Sequence, residues 1–279
     1  CYIQRQSSGG NKGVSGSKKI TKIAFKTKTG NSFLMRFCLL FIFLFISTPA
    51  FAETTILSGD MTQGGLVMGT TDPGATLYLD GKLLTVAPSG RFVFGFGRDS
   101  KPTAILKILY KNGESEDRLL EVSQREYPIE RVDGLATDKV TPSPEALARI
   151  NAENAEIARI RSIETGEEWY LSGWQWPAKG RVSGVYGSQR VLNGIPKRPH
   201  FGLDIAASEG TEVLASTDGT VRMAEADLYY TGGTVMIDHG YGLISVYSHL
   251  SALAVKEGQF VQKGEKIGEV GSTGRSTGA

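Results

Sequence analysis

The chain has 279 residues, 40% of them apolar, with 31 Lys and Arg against 29 Asp and Glu. That length holds one large or two ordinary domains with real cores. Residues 1–52 carry eight of the basic residues and no acidic one, so the remainder has 23 basic against 29 acidic, net −6, which argues against nucleic acid as a partner.

Residues 1–34 are polar, Lys-rich and acid-free, and read as upstream sequence or a disordered tail. From Met35 the pattern is that of a secretory signal peptide, residues 35–52: Arg36, an apolar run over Phe37–Ile46, then small residues with cleavage expected after Ala52. The run is short against the roughly 20 apolar residues of a membrane span, an uncleaved anchor being the alternative. Cys1 and Cys38 both precede the cut, so the exported protein is expected to have no disulfide and no thiolate site. Cys38 lies at the start of the apolar run and not after it, so it is not placed for acylation. The chain starts on Cys1 and not Met, and both ends read as cut.

The fold class expected is mainly β. Residues 53–132 form an accessory β domain, sandwich-like, with strands turning on Asp80-Gly81 and Asn112-Gly113 and an aromatic strand in "GRFVFGFG". It carries no His and no acidic cluster. Residues 133–173 are a linker with one helix, capped by Ser143, opened by Pro144 and with Glu145 in its first turn. Leu147, Ile150, Ile157 and Ile160 fall on one stripe, so the helix should pack one side, or offer it to a partner. Residues 174–279 are Gly-rich with short strands and two similar phrases, "GTEVLASTDGTVRMAEA" and "EGQFVQKGEKIGEVGSTG". Tight glycine turns between half-buried strands predict a small, strongly coiled antiparallel sheet, barrel-sandwich-like.

All three histidines lie in this last part. His200 and Asp204 are four apart in "RPHFGLDIA", where Pro199 and Gly202 oppose a helix. On an extended segment the two project from one face. They suit two ligands of a catalytic zinc site, which typically uses three protein ligands and an open water position; a surface pair is the plainer alternative. The alternation of "LISVYSHLS" puts Ser245, Tyr247 and His249 on one strand face, His249 lining a site or buried as structure. Tyr247 reads as a packing aromatic or, less simply, as a groove residue. His239, at a turn in "MIDHGYG", reads as structural or solvent-facing.

Residues 174–279, through "RPHFGLDIAASEGTEVLASTDGTV" and "GGTVMIDHGYGLISVYSHLSALAVKEGQFVQKGEKIGEVGSTGRSTG", resemble the lysostaphin/LytM-type zinc metallopeptidases that cut peptidoglycan. The resemblance implies His200 and Asp204 as zinc ligands and His249 as a catalytic histidine beside the metal-bound water. It implies Zn2+ as cofactor, peptidoglycan peptides as substrate and a periplasmic or cell-envelope location. In the family, the "GSTGRSTG" loop runs into a His-x-His motif that completes the metal site. The chain ends at Ala279, where that motif is due, so these 279 residues alone are expected to hold zinc poorly and to be inactive.

Three rival readings follow. Some envelope relatives have lost metal residues and activate cell-wall amidases, which would make amidases or divisome and envelope proteins the partners. "VKEGQFVQKGEKIGEV" also resembles lipoyl- and biotinyl-type hairpins, but no lysine sits at a tight tip between Met, Asp or Ala. A wall-binding protein that does not cut is the third.

Overall fold

The computed structural model describes residues 2–4, 55–135 and 137–279. The expected signal peptide, residues 35–52, lies outside the described residues. No helix among the described residues is long and apolar enough to cross a membrane. The fold is mainly β, as expected from the sequence.

The accessory region holds two antiparallel sheets around one core. One has the strands Ile56–Gly59, Leu66–Thr70 and Arg91–Gly95. The other runs in the order Lys82–Leu84, Thr76–Leu79, Thr103–Leu109 and Ser115–Glu121. Alternation fills the core: Ala104, Leu106 and Ile108 point inward from one strand and meet Val67, Phe92 and Phe94. The Asp80-Gly81 hairpin has both residues at positive φ, 47° and 78°, the geometry a two-residue primed turn requires.

The strand Ile129–Val132, placed by the sequence at the end of the accessory domain, joins the C-terminal region. It runs parallel to Gln189–Leu192, whose other edge pairs with Ile195–Pro196. A parallel pair needs a long crossover, and the helix Pro144–Arg161 lies in it. Ser143 caps that helix, its hydroxyl accepting from the Ala146 N–H at 3.2 Å. Ile150 and Ile160 are buried, whereas Leu147, assigned to the same stripe, is exposed. Ile160 and Ile157 pack on Met223, Met236 and Ile244 of the C-terminal sheet.

That sheet is antiparallel, in the order Glu212–Leu214, Lys266–Val270, Ile244–Leu253, Gly232–Asp238, Gly219–Leu228, Phe260–Val261, with Tyr2–Gln4 also paired to the start of Ile244–Leu253. The two similar phrases pair reciprocally. The first strand of one phrase, at Glu212, meets the second strand of the other, at Glu269, and Gly219 meets Val261. One face buries Val221, Val235, Ile237 and Tyr247; the other buries Met223 and Met236 under the helix. The strand Gly232–Asp238 between these layers is therefore buried at every position.

Residues Glu53–Ala279 belong to one compact unit. Val93, Leu66 and Met68 of the accessory sheet pack on Tyr170, Tyr241, Leu243 and Trp174, an apolar seam that joins the two regions.

Candidate functional site

A two-stranded ribbon, Arg181–Gly184 against Asp204–Ala206, carries Asp204 opposite Gly184. His200 precedes the strand instead of lying on it. Its main chain is held by the segment before Gln189: the His200 N–H donates to the Ser188 carbonyl at 2.8 Å, and the Gly187 N–H to the His200 carbonyl at 2.7 Å. The two side chains still meet, with His200 Nε2 3.1 Å from Asp204 Oδ1.

The second oxygen of Asp204, Oδ2, accepts from Arg190 Nη2 at 2.8 Å. A Cβ on Gly184 would stand 2.3 Å from that oxygen, so the approach of Asp204 requires glycine there. Burial pushes the Asp204 carboxyl up, but the hydrogen bond from His200 and the charges of His200, Arg190 and His249 outweigh it and hold it below its ordinary value. His200 Nδ1 is buried with no hydrogen-bond partner among the described residues.

His249 lies on the strand Ile244–Leu253 at φ 64°. Val235 pairs with Tyr247, yet Gly233 pairs with Leu250, so the strand carries one extra residue here, a β-bulge. This corrects the strict alternation expected from the sequence. Tyr247 and Leu250 share the inner core, and His249 turns towards the loop after Val270. Its Nδ1 lies 2.7 Å from the Thr273 carbonyl. A carbonyl only accepts, so Nδ1 carries the proton and Nε2 presents a lone pair. Burial, first, and Arg190 and Arg275 hold the imidazole below its ordinary value, against the raising effects of Thr273 and Asp204.

Tyr247 is a packing residue and does not reach a groove: it is buried, and its hydroxyl accepts from the Ser216 N–H at 2.9 Å. His239 is structural and fully buried, not solvent-facing. Nδ1 donates to the Asp218 carbonyl at 2.6 Å, and Nε2 sits 2.7 Å from the Ser245 hydroxyl. Trp174 meets its ring edge-on at 5.4 Å.

Nothing in the residue pattern singled out Arg190, Glu130, Gly184 or Thr273 as site residues. Arg190 is fourteen residues from Asp204 with no recognisable spacing, and only the pairing of strands reveals it. No group of three or more His, Cys, Asp or Glu able to hold a metal gathers among the described residues.

Residues 198–279 match the profile of peptidase family M23. Over these residues the chain is similar to that family. The match begins just before His200 and includes Asp204, His239 and His249. The chain is 41% identical over 104 residues to the lipoprotein NlpD/LppB homolog of Pseudomonas aeruginosa, covering 37% of this chain and 33% of that protein. It is 36% identical over 107 residues to the murein hydrolase activator NlpD of Escherichia coli, 38% of this chain and 26% of that protein. It is 43% identical over 103 residues to the peptidoglycan DD-endopeptidase ShyA of Vibrio cholerae, 36% of this chain and 24% of that protein. The chain thus spans about a quarter to a third of the length of these M23 relatives. A solved structure, a peptidase M23 from P. aeruginosa, superposes with a TM-score of 0.60 at 27% identity, over 78% of this chain and 86% of that one. The likeness to that M23 structure therefore extends well beyond the matched domain.

Proposed function

We propose that the chain is part of an exported, zinc-dependent endopeptidase that hydrolyses peptide bonds in peptidoglycan at the cell envelope. The observation that carries this reading is the convergence of His200 Nε2 and Asp204 Oδ1 at 3.1 Å. Two ligand atoms each 2.0–2.1 Å from one tetrahedral ion stand about 3.3 Å apart, so the pair has the spacing that zinc asks for. Further ligands are expected in the His-x-His motif that the resemblance places after the "GSTGRSTG" loop.

His200 and Asp204 would hold the ion. Bound zinc supplies a Lewis acid and lowers the pKa of water towards about 7. The residues of the chain do the rest. Asp204, held ionised, is a standing anion that needs no deprotonation to bind a cation. His249, held neutral with its lone pair on Nε2, can take a proton from the attacking water and, once Nε2 carries that proton, donate it in a hydrogen bond to the oxygen on which charge has developed. Thr273 fixes which nitrogen does so.

A second reading has its own support. The relatives include proteins named as murein hydrolase activators, and Arg190 already satisfies one Asp204 oxygen. On that reading the same domain would bind and activate a cell-wall amidase. Zinc content and release of soluble muropeptides from purified sacculi by the full-length protein separate the two. Bound zinc with peptide release supports the endopeptidase; no zinc and no release, with stimulation of an added amidase, supports the activator.

A further inference from the structure

The two oxygens of Asp204 have different partners, and the partner of the second leads back to the strand Ile129–Val132. Arg190 and Glu130 are directly opposed in the parallel pairing of Gln189–Leu192 with Ile129–Val132. Side chains at opposed positions leave the same face of a sheet. Glu130 Oε2 accordingly lies 3.5 Å from Arg190 Nε, with both side chains about three-quarters buried. From there Arg190 Nη2 reaches Asp204 Oδ2 at 2.8 Å.

The same short segment supports His200. Gly187 and Ser188 hold its main chain, three and two residues ahead of Arg190. The accessory region grips this segment: Arg98 Nε donates to the Gly187 carbonyl at 2.6 Å, its guanidinium 4.4 Å from the Tyr127 ring. Residues 187–190 thus hold one member of the pair by main chain and the other by side chain; Arg98 bonds this segment, and Glu130 stands in ion-pair range of Arg190 Nε, which makes no hydrogen bond among the described residues.

We infer that Arg190 is the positioning residue for Asp204, that Glu130 on the added parallel strand backs Arg190, and that through Arg98 the accessory region is part of the scaffold of the metal site. The inference rests on the reading of His200 and Asp204 as zinc ligands. A carboxylate turns easily about its terminal torsion. Arg190 removes that freedom by taking Oδ2, so Oδ1 alone faces His200 Nε2. The planar guanidinium can bond Asp204 through one nitrogen while another faces Glu130, which the point charge of a lysine cannot copy. Glu130 offsets the positive charge that would otherwise stand uncompensated beside a divalent ion. Register is the weak point of the device: a one-residue slip of Ile129–Val132 would carry Glu130 to the opposite face.

The test is Zn2+ affinity of the full-length protein by chelator competition, read below the thermal transition of each variant. Arg190→Ala should weaken binding about 10- to 100-fold, the usual effect of removing a residue that orients a metal ligand. Arg190→Lys should recover part of the loss, and Glu130→Gln and Arg98→Ala should move the same way. Lys107→Ala, which breaks a surface ion pair of the accessory sheet, should leave affinity unchanged. A second measurement needs no metal: a crystal structure of metal-free Arg190→Ala should show Asp204 Oδ1 displaced from its 3.1 Å approach to His200. Affinity within about twofold of wild type, or Asp204 unmoved, would overturn the inference. Failure of the endopeptidase reading looks different: zinc binding that depends on Arg190, with no muropeptide release, keeps the inference and removes the hydrolysis.

Discussion

Thr273 holds His249 through its carbonyl, 2.7 Å from Nδ1, while its hydroxyl ties the same loop to two strands. The hydroxyl accepts from the Gly233 N–H at 2.9 Å and donates to the Leu250 carbonyl at 2.9 Å. One residue of the Gly- and Thr-rich loop therefore fixes both the position and the tautomer of the candidate catalytic histidine.

Replacing Thr273 by Val removes both hydroxyl bonds. At about 1 kcal/mol for each bond the cost is about 2 kcal/mol, measured by denaturant unfolding. Thr273→Ser should recover most of it. Nitrogen NMR of His249 should show Nδ1 as the protonated nitrogen in wild type and a mixture of tautomers in Thr273→Val. An unchanged tautomer would mean that the loop is held without the hydroxyl.

His239 makes stability depend on pH. Burial depresses its pKa from 6.5 to about 4, against the raising effects of the Asp218 carbonyl and of the Asp238 and Asp218 charges. Between those values the unfolded chain binds a proton that the folded chain does not. Stability is therefore full above about pH 6.5 and falls as pH drops towards 4, by about 3 kcal/mol at the 1.36 kcal/mol of each pKa unit. Urea unfolding across pH 4–7 should show this slope, and His239→Gln should flatten it. A slope that survives the substitution would assign it to other groups.

Gly184 leaves room for Asp204. A methyl there would press on Oδ2, so Gly184→Ala should displace the carboxylate and weaken Zn2+ binding in the full-length protein. Isothermal titration reads the loss. Unchanged affinity would show that Asp204 can retreat and still bind.

The seam between the regions should carry stability of its own. Leu243 is buried there beside Val93 and Tyr170. Leu243→Ala is expected to cost about 2–5 kcal/mol through lost burial and the cavity left behind. A loss below about 1 kcal/mol would indicate a seam that repacks or opens freely.

The local features of the fold were legible where one short-range rule decides them. Asp80-Gly81, the Ser143 cap and the paired glycine phrases each follow from a few adjacent residues. His200 and Asp204 were legible by residue type and proximity in sequence, but their contact was not, since four fully extended residues span about 13 Å and the pair meets only because His200 lies off the strand, held by Gly187 and Ser188. Tyr247 was legible as a packing aromatic, but the face of His249 was not, because a bulge adds a residue and breaks the alternation that put the two on one face. Leu147 illustrates the same limit, since a helical stripe says which side could pack but not how far the neighbouring sheet extends. Arg190, Glu130 and Thr273 reach the site only through pairings between distant segments, for which the sequence carries no spacing signal.

Everything proposed about chemistry requires His200 and Asp204 to grip one ion. Zinc content of the purified full-length protein and of its folded His200→Ala and Asp204→Ala variants measures that directly. The expected result is stoichiometric zinc in wild type and little or none in either variant. Equal zinc in all three proteins, or none in wild type, would contradict it.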